Sequence, residues 1–84
     1  MEYFAVQVWT GKEDEFAERI SSDPAMHSTT LVPKRAMQIR RAGKLKREER
    51  PLFPGYVFVV TESDELDVPQ RWALRTTRYF VRAL

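Results

Sequence analysis

The stretch Arg50-Pro51-Leu52-Phe53-Pro54-Gly55-Tyr56-Val57-Phe58-Val59-Val60-Thr61 (RPLFPGYVFVVT) decides the fold. From Gly55 to Thr61 nearly every residue favours β structure, and this is the strongest strand signal in the chain. The first half behaves differently. Two prolines and a glycine interrupt regular structure, yet large apolar groups fill the gaps between them. Loops are usually polar and lie in water, so Leu52, Phe53 and Tyr56 around a Pro-Gly corner ask for a reason.

Working outward, residues 1–9 alternate. Phe4, Val6 and Val8 point one way while Tyr3, Ala5, Gln7 and Trp9 point the other, the period of a strand. Thr10 is expected to open a helix through a capping box with Glu13. Glu13, Asp14, Glu15 and Glu18 suit the positive end of that helix dipole. Phe16, Ala17 and Ile20 form its buried stripe, and Asp23-Pro24 ends it. Ser28 to Pro33 reads as a second strand. Lys34 to Arg41 alternates, Gly43 supplies a turn, and Leu45 to Glu49 returns, which predicts a charged two-stranded arm. Pro69 opens a second helix running to about Thr76, with Trp72 expected in the core. Tyr79 to Leu84 completes the set as a strand.

The order β-α-β-(arm)-β-α-β is the split βαβ, ferredoxin-like pattern. It predicts an α+β fold: a four-stranded antiparallel sheet with two helices on one face and a basic β-hairpin arm. In that topology the first and third strands are neighbours. Phe4, Val6 and Val8 then share the helix-covered face with Val57 and Val59. Tyr3, Ala5 and Trp9 fall beside Tyr56 and Phe58 on the bare face. Pro51 and Pro54 keep the intervening segment out of the ladder, which sets Phe53 at the rim of the same face. An aromatic patch of this kind marks a partner surface, or else a cover supplied by further chain or a second copy.

Charge is divided unevenly. The 84 residues carry a net charge of only +2. Yet Lys34, Arg35, Arg40, Arg41, Lys44, Lys46, Arg47 and Arg50 cluster against only Glu48 and Glu49, while Glu62, Asp64, Glu65 and Asp67 gather elsewhere. Such separation puts a local basic field on a nearly neutral body. The chain has no cysteine, so neither a disulfide nor a thiolate metal site can reinforce the core. No apolar run approaches a membrane span and no signal-peptide pattern opens the chain, so a cytoplasmic, soluble monomer of one domain is expected.

The residues also carry a resemblance. Val6-Gln7-Val8 followed by Thr10-Gly11 and Glu13, then Val32-Pro33, the block Leu52-Phe53-Pro54-Gly55-Tyr56-Val57-Phe58-Val59, Leu74-Arg75-Thr76 and Phe80-Val81-Arg82 together resemble the N-terminal (NGN) domain of the NusG family of transcription elongation factors. The match runs in order over nearly the whole chain. Its spelling around Val32-Pro33-Lys34-Arg35 and Pro51 to Phe58 is similar to specialised antiterminator branches, the RfaH and LoaP types. The resemblance implies a factor that binds the clamp helices of RNA polymerase's largest subunit and suppresses pausing or termination. It places the polymerase-binding pocket on Tyr3, Ala5, Trp9, Phe53, Tyr56 and Phe58, with Phe80 beside them. It also implies that residues 1–84 are one NGN-like domain, without the KOW barrel that members usually carry after it.

A domain riding on polymerase would hold the arm beside nucleic acid, nontarget-strand DNA or a nascent RNA hairpin. Arg40, Arg41, Lys44, Lys46 and Arg47 are the candidates to neutralise phosphates there. The plainer reading of such a run is a solvated hairpin. Arg75, Arg78 and Arg82 form a second basic set, the first two suited to a helix C-terminus.

A rival from another class is an RNA-recognition module. It shares the element order, and Gly55-Tyr56-Val57-Phe58-Val59 resembles the core of its base-stacking motif. Pro54 stands where that motif needs a cation, and Thr61 where it needs an aromatic. Catalysis finds little support. His27 reads as a solvated loop residue, no metal-ligand spacing is present, and the three glycines stand alone, without a phosphate loop. Neither an enzyme activity nor a cofactor is expected.

Overall fold

Val6 and Val57 face each other across two antiparallel strands, and both are fully buried. The rest of the domain is arranged around that contact. In the computed structural model, which describes residues 2–62 and 65–84, the chain forms β1 (Glu2–Val8), α1 (Glu13–Ser21), β2 (Thr29–Leu31), β3 (Lys34–Arg41), β4 (Lys44–Pro51), β5 (Tyr56–Thr61), α2 (Val68–Thr76) and β6 (Phe80–Ala83). The main sheet has the order β2-β5-β1-β6 with every neighbouring pair antiparallel, and β3-β4 form a separate two-stranded sheet. This is the expected split βαβ arrangement with its arm. Asp64 lies outside the described residues.

The register sorts the side chains. Phe4 opposes Val59 and Val6 opposes Val57, and these residues meet Phe16 and Ile20 of α1 and Leu74 of α2 in one apolar cluster. Phe80 is paired with Val8 and packs on that cluster, so it serves the covered face and not the bare one. Both helices therefore lie on one side of the sheet.

Helix α1 starts later than a Thr10 cap requires. Trp9 to Lys12 form a turn, with Lys12 N–H donating to the Trp9 carbonyl at 3.0 Å and Gly11 at φ +90°. A positive φ at the third position is the glycine requirement of a type II turn. Lys12 is the cap residue and makes no side-chain capping bond. The capping box is absent because the Glu13 carboxylate is used elsewhere: buried, it accepts from Gly55 N–H at 2.8 Å. At the other end the helix stops at Ser21, just before Asp23-Pro24.

Helix α2 corrects a second expectation. Asp67 caps it, accepting from Gln70 N–H at 2.9 Å, with Pro69 in the first turn. Its inner face is Gln70, Ala73 and Leu74, at the i, i+3, i+4 spacing of one helix stripe. Trp72 falls off that stripe and stays 67% exposed, so it is not a core residue. His27 is an exposed loop residue, as expected, and its Nε2 lies 2.7 Å from Asp67 Oδ2. With Ser28 Oγ donating to Gln70 Oε1, this ties the loop after α1 to the start of α2.

Two stability predictions follow from this packing. Phe16→Ala should cost about 3–5 kcal/mol in urea titration, whereas Trp72→Ala should stay within about 0.5 kcal/mol. Near-equal losses would contradict the assigned helix faces. For Asp67, the Gln70 amide and then His27 hold the carboxyl below its ordinary value. Its stabilising contribution is therefore present at neutral pH and lost as pH falls through the lowered folded-state value. Asp67→Ala should melt below wild type at pH 7, and the gap should close in strong acid.

Candidate functional site

The odd-numbered residues of β1 and the even-numbered residues of β5 form the sheet's other face. Tyr3 pairs with Val60, Ala5 with Phe58 and Gln7 with Tyr56. Leu31 of β2 pairs with Phe58 and so joins the same face. Neither helix covers these positions, and Tyr3 remains 62% exposed and Leu31 41%. Leu31 was not singled out in the sequence. The signal that could have found it is the parity of β2 against β5, which depends on a register invisible in a three-residue strand.

Phe53 reaches this face from the turn before β5. Its ring meets Phe58 edge-on at 5.6 Å between centroids, a favourable aromatic geometry, and it stays 49% exposed. The segment carrying it is held at every step. Pro51 is in fact the last residue of β4, opposite Lys34, so the first proline closes the arm's ladder and does not stand outside it. Its missing N–H is no loss at a strand end. Leu52 N–H then donates to the Pro33 carbonyl at 2.7 Å, and Tyr56 N–H to the Phe53 carbonyl at 3.1 Å. Gly55 is clasped on both sides. Its carbonyl accepts from Val8 N–H at 2.8 Å and its own N–H donates to Glu13.

Trp9 takes a different place. It follows the end of β1, donates its backbone N–H to the Tyr79 carbonyl, and sets its ring 5.3 Å from that of Tyr79. Tyr79 is buried at φ 77°, with Lys12 Nζ and the Arg78 guanidinium over its ring at 5.5 and 5.0 Å. Tyr3, Ala5, Tyr56, Phe58 and Phe53 are thus one continuous face, and Trp9 is an exposed ring at the end of the sheet.

The arm turns through Ala42 and Gly43, both with positive φ, as a two-residue type I′ hairpin needs. The ladder divides its charges. Arg41, Lys44 and Lys46 share one face with Arg35 and Arg50, while Arg40 and Arg47 lie on the other with Lys34. Arg35 sits directly opposite Arg50, and Arg41 opposite Lys44. Like charges so placed destabilise a ladder. Arg50 is engaged by Glu48 at 3.0 Å, and Lys34 by Asp14 at 2.8 Å, whose carboxylate raises the Lys34 ammonium above its ordinary value. Arg35 was not among the candidate phosphate contacts, because only the register reveals which cations it joins.

Arg82 donates to Gln7 Oε1 at 2.8 Å, and Arg75 stands in the last turn of α2. A groove of about 480 Å³ runs between α2 and β6, with Phe4, Leu66, Leu74 and Phe80 among its lining. No group of three or more His, Cys, Asp or Glu residues able to hold a metal occurs among the described residues. No helix among them is long and apolar enough to cross a membrane.

Residues 1–84 match the family described as "Transcription termination factor nusG". The chain is also similar to the "Transcription termination/antitermination protein NusG" of Deinococcus radiodurans, 30% identical over 77 residues. That alignment covers 82% of this chain and 40% of the relative, so the chain spans well under half the relative's length.

The clasp at Gly55 is testable. Gly55 has φ +83°, and a Cβ there would lie 3.1 Å from Thr10 Oγ1 and 3.4 Å from the Val8 carbonyl oxygen. Gly43 has φ +74° but open space around it. Gly43→Ala should cost roughly 1–2 kcal/mol from backbone strain alone. Gly55→Ala should cost measurably more in the same denaturant titration; the reverse order would contradict the packing of the turn.

Proposed function

The chain belongs to the NusG family, and from that premise we propose that it docks on RNA polymerase through its bare aromatic face. The observation that carries this reading is the continuity of Tyr3, Ala5, Tyr56, Phe58 and Phe53 on one uncovered side of the sheet. The partner is the tip of the clamp helices of the largest subunit, which lies against these rings. Phe53 is the anchor. An aromatic presented by a turn already fixed in the free protein loses little freedom on binding, and such residues dominate interface energetics. Trp9 adds a contact at the end of the sheet.

The activity is a bias and not a reaction. A factor that binds the elongating conformation of polymerase better than the paused one shifts the population toward elongation, and only the difference in affinity matters. A tenfold shift needs about 1.4 kcal/mol of that difference. Part of one buried aromatic contact suffices. The outcome is transcription antitermination or suppression of pausing.

The arm supplies the second contact. Arg40, Arg41, Lys44, Lys46 and Arg47, joined by Arg35, lie against the phosphates of nontarget-strand DNA or nascent RNA. Cross-strand like charges that strain the free arm are relieved when an anion lies between them. These contacts hold position without reading sequence.

Pull-down of core polymerase assembled on a DNA–RNA scaffold separates the two contacts. The double variant Phe53→Ala, Tyr56→Ala should lose polymerase at every salt concentration while remaining folded by circular dichroism. Neutralising Arg40, Arg41, Lys44 and Lys46 should remove only the salt-sensitive part, with a log–log slope smaller by about 0.9 per lost duplex phosphate contact. Retention of polymerase by the aromatic variant would overturn the proposal. Loss of single-stranded RNA binding by that variant, with polymerase binding intact, would favour the base-stacking reading.

A further inference from the structure

Among the described residues Glu13 is the single charged residue that is buried, 3% exposed, and neither proposed contact surface includes it. Burying a carboxylate is expensive unless its oxygens are hydrogen-bonded. Its described partner is the backbone N–H of Gly55, 42 residues away in sequence and two residues after Phe53. Bonds from an amide to a charged acceptor are about twice as strong as neutral ones. Out of water, this bond is a strong polar link between α1 and the turn that carries Phe53.

We infer that Glu13 is a positioning residue: its carboxylate fixes the Pro54-Gly55 turn and so presents the Phe53 ring to the partner. The inference rests on the docking reading above and adds a residue that never touches the partner. The geometry is specific. With the Val8 N–H on the Gly55 carbonyl and Glu13 on the Gly55 N–H, this peptide is tied to both β1 and α1. The next bond back, Tyr56 N–H to the Phe53 carbonyl, passes that constraint to Phe53. The Phe53–Phe58 edge contact is where the ring comes to rest. The neighbouring Asp14 holds Lys34 at the root of the arm. The first turn of α1 therefore braces the base of the arm as well.

Without Glu13 the turn can still form, but the buried Gly55 N–H loses its carboxylate acceptor. The turn then samples positions in which Phe53 leaves Phe58, and ordering it on binding lowers affinity.

The test uses Glu13→Gln, Glu13→Ala and a control, Glu18→Ala, on the exposed side of the same helix. Three readouts are compared: the Gly55 amide proton shift, the ring-current shifts of Phe53 and Phe58, and affinity for core polymerase at a temperature where all variants are folded by circular dichroism. Glu13→Ala should move the Gly55 amide upfield, average out the Phe53–Phe58 shifts, and weaken polymerase binding by roughly tenfold. Glu13→Gln keeps an acceptor oxygen, so it should move the amide less and recover most of the affinity. Glu18→Ala should change none of the three. If Glu13→Ala does not fold, the Gln variant carries the test through the amide shift and affinity. An unmoved Gly55 amide, or a moved amide with Phe53 shifts and affinity intact, would overturn the inference. Failure of the docking reading looks different: Phe53→Ala, Tyr56→Ala would then bind polymerase like wild type, while the Gly55 response to Glu13→Ala would persist.

Discussion

A sheet with two helices on one side can bury only one of its faces. The β1–β5 register decides which side chains receive that cover. Val6 against Val57 and Phe4 against Val59 meet Phe16, Ile20 and Leu74. Alternation then places Tyr3, Ala5, Tyr56 and Phe58 on the face that neither helix covers. The bare face is the geometric complement of the core. Because side chains alternate with a period of two, a slip by one residue would exchange the two sets and leave the core valines in water. The apolar drive that makes the fold is therefore the same force that fixes the orientation of the exposed rings.

The turn before β5 converts that face into a shaped surface. Prolines limit its backbone, but limitation alone does not aim a ring. The aim comes from bonds to three separate elements: Pro33 at the root of the arm, Val8 of β1, and Glu13 of α1. This explains why a loop rich in large apolar groups is tolerated at the surface. Phe53 is a loop residue by sequence and a rigid extension of the sheet by contact with Phe58. The acidic start of α1, which suits the helix dipole, also supplies the carboxylate that this turn needs.

The arm obeys a different balance. With the arm included the domain is 51 Å long and only 25 and 21 Å across, and no β3 or β4 residue belongs to the apolar cluster of the main sheet among the described residues. The arm's strands are exposed or half-buried throughout, and a two-stranded ribbon is marginal in water on its own. Cations stacked opposite cations weaken it further. The Lys34–Asp14 pair ties its root to α1, and the bond from Leu52 N–H to the Pro33 carbonyl continues its own ladder by one step. Such an element is suited to adapting to an anionic partner, whereas the aromatic face is suited to a partner of fixed shape.

Much of this was legible in the residues. Alternation in residues 1–9, the apolar run from Tyr56 and the turn at Gly43 were enough to give the element order, the covered face and the arm, because local periodicity records which way each side chain points. What sequence could not show was where long-range polar bonds close. Thr10 and Glu13 carry the pattern of a capping box, yet the carboxylate turns to Gly55, since only the folded chain brings that amide within 2.8 Å. Trp72 has the size of a core residue, but the helix phase set by Gln70, Ala73 and Leu74 leaves it in solvent. Leu31 and Arg35 enter their surfaces only through cross-strand register. The sequence by itself determined the elements and the facing of their side chains, because both depend on neighbours a few residues apart. The tertiary structure alone decided how the Phe53 turn is held and which charges stand together, because those contacts join residues that are distant along the chain.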